Sequence, residues 1–222
     1  MKNTSILFIL AAALAASPAV LADAPVDVHA IAQAVDSHYN HLQTLQAEFT
    51  EIYRGAGMDR TESGTLSLKK PGKMRWEYRS PKEKLFLSDG HTAWFYVPGD
   101  KQVRKTPVQK LDDLRSPLAF LLGKTKLEKE LQGLSRAIDM TPAEPANVLL
   151  RGVPKTLADR VSEIVLEVTP QSQIARIIVE EADGSATEYQ LSHQEENRQL
   201  SDQQFRFAPP PGTEVIDENF GQ

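Results

Sequence analysis

The chain has 222 residues, 25 basic against 30 acidic side chains and a formal net charge of −5, with no cysteine. That mild negative balance argues against nucleic acid or an anionic membrane surface as the main partner. The missing thiols exclude disulfides and a cysteine nucleophile, so the fold must rest on apolar burial within one comfortable domain or two small ones.

Lys2 precedes an apolar run, residues 6–16 (ILFILAAALAA), that is too short to span a bilayer well. Val20-Leu21-Ala22 then puts small or modest side chains where signal peptidase cuts. The sequence therefore predicts a secretory signal over 1–22, cleaved after Ala22, and one mature domain over 23–222. An uncleaved anchor would need a longer run and a basic far flank, whereas Asp23, Pro25 and Asp27 follow. Cleavage removes Lys2 and no acid, leaving a net charge near −6. Without a cysteine the exported chain cannot itself carry the lipid of a bacterial lipoprotein.

Residues 26–46 place Val28, Ile31, Ala32, Val35, Tyr39, Leu42 and Leu45 at helical spacing. Short alternating segments follow at 47–54, 62–69, 73–80, 84–88, 91–97 and 101–106, with turns at Asp89-Gly90 and Pro98-Gly99-Asp100. The third, within GKMRWEYRSP, sets Met74, Trp76 and Tyr78 on one side and Lys73, Arg75, Glu77 and Arg79 on the other. More strands are expected at 147–152, 161–169, 174–182, 186–193 and 203–207, then a short terminal piece, with Asp183-Gly184 as a further hairpin turn. The pattern is a long antiparallel meander with few helices and no repeat of solenoid length.

A helical interruption divides the meander. In SPLAFLLGK, Ser116 suits an N-cap, Pro117 the first helical position and Gly123 the stop, while Leu118 to Leu122 leave no polar face. A helix apolar all round must be covered on more than one side. It is either a plug filling one end of a barrel or a lid whose inner face meets a ligand. Thr125-Lys126-Leu127-Glu128 reads as a capping box opening another short helix that ends at Gly133.

No catalytic constellation emerges. Ser67-Leu68-Lys69-Lys70 has the S-x-x-K spacing, but on a strand positions three apart face opposite sides. His38 and His41 lie one helical turn apart without a further ligand at a supporting spacing, and Asp112-Asp113 and Glu180-Glu181 sit in solvated stretches. His91 and His193 stand alone.

Taken in order, FTEIYRG, GTLSLKKPGKMRWEY, LFLSDGHTAWFYVPGDKQV, SPLAFLLG and FRFAPPPGTEV resemble the periplasmic outer-membrane lipoprotein carrier proteins, the LolA family, over nearly the whole mature chain. The resemblance implies a mainly β fold with short helices: a single unclosed antiparallel β-barrel of about 11 strands with a helical lid over a hydrophobic cavity. It implies a periplasmic chaperone, not an enzyme, that needs no cofactor or metal. Such a chaperone takes acylated lipoproteins from an ATP-driven inner-membrane exporter complex and delivers them to an outer-membrane lipoprotein receptor. A monomer is expected, and the absent lipid-bearing cysteine points to the soluble carrier, not the receptor. By place in the matching segments, the cavity lining would be Leu66, Met74, Trp76, Leu87, Trp94, Leu118 and Leu121. Where the family commonly has an Arg that holds the lid shut, this chain has Lys70, which keeps the charge without the planar fork of donors. Lys70 is thus either a weakened latch or a solvated turn residue. The alternatives are a carrier for another envelope lipid or glycolipid, and an envelope sensor domain, which would need a second domain for which the 222 residues leave no room.

Overall fold

The computed structural model describes residues 26–108, 121 and 126–217. The expected signal and its cleavage point, the apolar helix around Leu118, Asp112-Asp113 and the Thr125 capping position lie outside the described residues; Leu121 lies within them.

Asp27 opens helix α1 (Val28–His41), its carboxylate accepting from the Ala30 N–H at 3.1 Å. The helix stops short of residue 46 because Thr44 already pairs with Lys69 in the sheet, which carries Leu45 into a strand. Twelve strands follow among the described residues. The first meander is β1 (Thr44–Gly55), β2 (Met58–Lys69), β3 (Lys73–Ser80), β4 (Lys84–Asp89), β5 (Thr92–Tyr96) and β6 (Gln102–Pro107). The second is β7 (Leu131–Arg136), β8 (Val148–Pro154), β9 (Val161–Val168), β10 (Ile174–Glu181) and β11 (Ala186–Glu196), with β12 (Glu214–Asp217) last.

One sheet contains them all, in the order β12-β6-β5-β4-β3-β2-β1-β11-β10-β9-β8-β7. Its two halves meet where β1 pairs with both β2 and β11, and it is unclosed, with β12 and β7 at its edges. Every pairing is antiparallel except β12 on β6, which is parallel. Turn chemistry sets the registers. At Asp89-Gly90 the Asp89 carboxylate accepts from the N–H groups of His91 and Thr92, both at 2.8 Å, while Gly90 has φ +98. A bulge between Ser63 and Gly64 bends β2 over β3; a Cβ at Gly64 would lie 1.9 Å from the Glu77 carbonyl oxygen, so only glycine permits that approach.

Two expected elements take another form. The short helix α2 (Leu127–Glu130) ends before Gly133, and residues 131–136 are edge strand β7, in which Gly133 (φ +67) sits at a bulge. Lys126 occupies the N-cap position of α2 without a side-chain bond, and the Asp36 carboxylate of α1 instead accepts from Leu127 N–H at 3.0 Å. The strand expected at 203–207 is a single 3-10 turn over Asp202–Phe205, capped by the Ser201 hydroxyl. It packs across β3 and β4 and pairs with no strand.

The main core lies between α1 and one face of the sheet. Ala32, Val35 and Tyr39 of α1 share a single buried cluster with Leu66, Met74 and Trp76 of one half and Leu150, Leu166 and Ile177 of the other. Side chains so far apart in strand order can meet under one helix only if the sheet curls around it. The face toward α1 is called the inner face below.

Candidate functional site

Strand register arranges the inner face in rows. Leu45, Leu68, Met74, Ser88, Ala93 and Thr106 stand opposite one another across β1 to β6, and the next row is Ala47, Leu66, Trp76, Phe86, Phe95 and Arg104. A third row holds Phe49, Gly64, Tyr78 and Lys84. A fourth sets Glu51 against Glu62 on one side and Tyr189 on the other. The face therefore grades from apolar to charged along the strands.

Trp76 sits at the aromatic centre of this gradient. Its ring centroid is 4.7 Å from that of Phe49 and 5.7 Å from that of Tyr189, and Phe49 in turn meets Tyr78 edge-on at 4.9 Å. The residue is 3% exposed, yet its indole Nε1 has no hydrogen-bond partner among the described residues. At the charged end Glu51 and Glu62 are only 7% and 5% exposed. Their repulsion is offset locally. Tyr78 donates its hydroxyl to Glu51 at 2.6 Å, and Glu62 takes the Lys84 ammonium at 2.6 Å and Arg60 Nε at 3.1 Å. Burial, then the Glu51 charge, push the Tyr78 hydroxyl above its ordinary range, so it stays a donor.

Helix α1 covers the apolar end. Tyr39 reaches through the core so that its hydroxyl accepts from Ile174 N–H at 2.9 Å, and burial pushes that hydroxyl above its usual range too. The Lys70 ammonium donates to the last carbonyls of the helix, Tyr39 O at 2.5 Å and Asn40 O at 3.1 Å, where a cation also suits the helix dipole. Partial burial lowers the Lys70 pKa. Among the described residues the element that Lys70 holds is thus α1. Leu121 is buried in the same core cluster.

Leu66, Met74, Trp76 and Leu121 fall in one buried cluster, whereas Leu118 lies outside the described residues. Leu87 and Trp94 are not with them. Register pairs Leu87 with Arg75 and with Trp94, placing both on the outer face, where Trp94 stacks on Phe207 at 5.5 Å. The inner positions of that hairpin are Phe86 and Phe95. The sequence misleads here because KLFLSD has its richer apolar alternation, Leu85 and Leu87, on the outer face, where the C-terminal segment supplies a cover. Phe49 and Tyr189, also missed, carried a usable signal: each is an aromatic at an inward position of an alternating strand.

The outer face of β3 is equally occupied. Lys73 and Lys69 both pair with Asp202, at 2.9 and 2.7 Å, and Arg75 donates to the Gln204 carbonyl at 3.3 Å. His38 and His41 diverge, His38 to Glu196 at 2.8 Å and His41 to the Ser37 carbonyl at 2.7 Å. Among the described residues no three His, Cys, Asp or Glu side chains gather as a metal site, and no helix is long and apolar enough to cross a membrane.

The family model described as outer membrane lipoprotein carrier protein LolA matches residues 40–208. The chain belongs to the LolA family. That match spans the strands from β1 to β11 and the 3-10 turn, so it contains the rows of the inner face described above. A LolA-family relative from Nitrosospira multiformis is 30% identical over 190 residues, 82% of this chain and 86% of its own length. One from Chromobacterium violaceum is 31% identical over 207 residues, 93% of this chain and 94% of its own. Both are named outer-membrane lipoprotein carrier protein. An uncharacterized conserved protein from Thermus thermophilus shares the fold at 12% identity, with a TM-score of 0.54 over 85% of this chain and 98% of that one. The LolA family is one of carriers and not a class of enzymes.

Proposed function

We propose that this chain is exported, cleaved after Ala22, and works in the periplasm as a monomeric carrier that shields the acyl chains of lipoproteins against its inner face. An inner-membrane exporter loads it and an outer-membrane receptor unloads it. The observation that carries this reading is the apolar end of the inner face, where, among the described residues, Leu66, Met74 and Trp76 are buried in one cluster with helix α1 and Leu121.

Chain burial supplies the attraction. Each methylene removed from water is worth about 0.8 kcal/mol, so several acyl chains could bind very tightly. Tight holding would defeat delivery. The face is already covered by α1 and Leu121, and lipid can enter only as that cover moves. The displaced contacts offset part of the gain and leave the cargo transferable to a more apolar acceptor. Lys70 is the latch in this scheme, through the α1 carbonyls it binds.

The test is release of cargo. Purified protein added to spheroplasts that display a labelled lipoprotein should bring it into the supernatant as a complex of one carrier and one cargo. Leu121→Glu, which sets a charge against apolar partners, should release little while remaining folded. Release independent of added protein, or full release by a folded Leu121→Glu variant, would overturn the proposal.

A further inference from the structure

The carrier reading accounts for the apolar rows but leaves buried polar atoms of the inner face without a partner among the described residues: Thr106 Oγ1 in the first row and, at the aromatic centre, Trp76 Nε1. Trp76 Nε1 is a hydrogen-bond donor on a side chain 3% exposed, and no acceptor reaches it among the described residues. Buried indole N–H groups ordinarily find a partner, because leaving one unmade forfeits its hydration without replacement. A phenylalanine would fill a purely apolar wall without that cost. The position of Trp76 along the gradient suggests what the N–H is for. Toward α1 its neighbours are Met74 and Leu68; in the other direction come Tyr78 with Lys84 and then the charged Glu51, Glu62 and Arg60. An acylated ligand with its chains in the apolar rows and its polar head toward the charged row would bring its first carbonyl groups to the boundary between them, which is where Trp76 stands.

We propose that Trp76 Nε1 is a carbonyl-binding site: it donates a hydrogen bond to an acyl carbonyl at the head of the bound lipid. This rests on the carrier reading. The acceptor is a neutral carbonyl, since a charged one would have to be desolvated within the cluster of Phe49, Tyr78 and Tyr189. A glyceryl ester and an N-acyl amide both offer such an oxygen. The donor makes the site selective for acyl over alkyl chains, which burial of methylenes alone cannot do.

The experiment compares linkages at constant chain length. Dye-labelled cysteinyl peptides would carry a dipalmitoylglyceryl group, its dihexadecyl ether counterpart, or that ether with either an N-palmitoyl amide or an N-hexadecyl amine, and binding would be read by anisotropy of the dye. Wild type should favour the diester over the diether by about three- to tenfold if the ester is the acceptor, or the N-palmitoyl diether over its N-hexadecyl counterpart by a similar factor if it is the amide. Trp76→Phe, which keeps an aromatic wall and removes the N–H, should abolish that preference. A second readout needs no variant. In protein labelled with ¹⁵N at the indoles, the Trp76 Nε1–H resonance should move downfield with the preferred carbonyl probe and not with the diether, while Trp94 serves as the internal reference. Binding of all probes without preference, or a preference that survives in Trp76→Phe, would overturn the site and leave the carrier reading standing. Failure of every probe to bind wild type would overturn both.

Discussion

Trp76 and Trp94 stand on β3 and β5 of the same sheet, one on each face, and both meet aromatic neighbours. Their covers differ. Over Trp94 lies the chain's own C-terminal segment, in which Leu200 and Phe205 are buried, Phe207 stacks on both Trp94 and Tyr96, and Asp202 is gripped by Lys69 and Lys73. Among the described residues, Trp76 shares its buried cluster with α1 and Leu121. Among the described residues the polar ties of that helix include Lys70 on its last carbonyls, Tyr39 on Ile174, His38 on Glu196, and Asp36 and His29 on α2. The outer cover is a chain segment without regular pairing, while the inner one is a helix over a face that contains a buried donor without a partner among the described residues. In the proposed account the kind of cover, and not hydrophobicity alone, separates a binding surface from a core.

The largest expected effect comes from truncating the two tryptophans. Trp76→Ala should lower unfolding free energy by about 3–5 kcal/mol and also weaken retention of acylated cargo. Trp94 is only partly buried, so Trp94→Ala should lose about 1–2 kcal/mol and leave cargo retention unchanged. Urea denaturation and co-elution with an acylated lipoprotein measure the two quantities. A loss of cargo binding in Trp94→Ala at preserved stability would erase the difference between the faces.

A sharper version uses neighbours of like chemistry. Leu87→Gln sets an amide in a fully buried outer position and should cost about 2 kcal/mol of stability without changing affinity for acylated cargo. Met74→Gln on the inner face should weaken that affinity about tenfold, and by more than its effect on folding explains.

These paired tests also show how much was legible in the sequence. Alternation over GKMRWEYRSP placed Met74, Trp76 and Tyr78 on one face because charged residues fill every intervening position. The same reasoning failed at KLFLSD, where both faces are apolar and only the register with β3 decides that Phe86, and not Leu87, stands beside Trp76. The capping-box pattern at Thr125-Lys126-Leu127-Glu128 with Gly133 as a stop points to a helix where residues 131–136 form strand β7; pairing with β8 overrides that local signal. The charged row was invisible for a related reason. Glu51 and Glu62 lie eleven positions apart in sequence, and the hairpin between them, with Ala56 and Gly57 both at positive φ, sets them opposite each other.

A smaller effect is expected at the cover of the inner face. Lys70→Leu removes two bonds to the end of α1 and should cost about 1 kcal/mol, with faster hydrogen exchange of amides in the last turn of the helix. Lys70→Arg should restore protection. Unchanged exchange in Lys70→Leu would make Lys70 a turn residue without influence on the cover.

The smallest belongs to the outer cover and depends on pH. Hydrogen bonds from Lys69 and then Lys73 pull the Asp202 carboxyl from 3.8 down to about 2. A depressed folded pKa gives a contribution that is fully present above the unfolded value and is lost as pH falls toward the folded one. The Tm difference between wild type and Asp202→Asn should therefore be present at about pH 5 and shrink as pH is lowered toward about 2. Because Asp202 is exposed the difference will be slight. A difference constant over that range would remove Asp202 from the attachment.

The most direct test follows each tryptophan alone. Trp94→Phe leaves Trp76 as the sole indole and Trp76→Phe leaves Trp94, so each face reports separately. Both proteins would be titrated with a lipoprotein and with the same lipoprotein after removal of its acyl chains. The account predicts that Trp76 emission changes with the acylated form and not with the deacylated one, while Trp94 emission responds to neither. Equal responses of Trp76 to the two forms, or a response confined to Trp94, would contradict the claim that the inner face is where acyl chains bind.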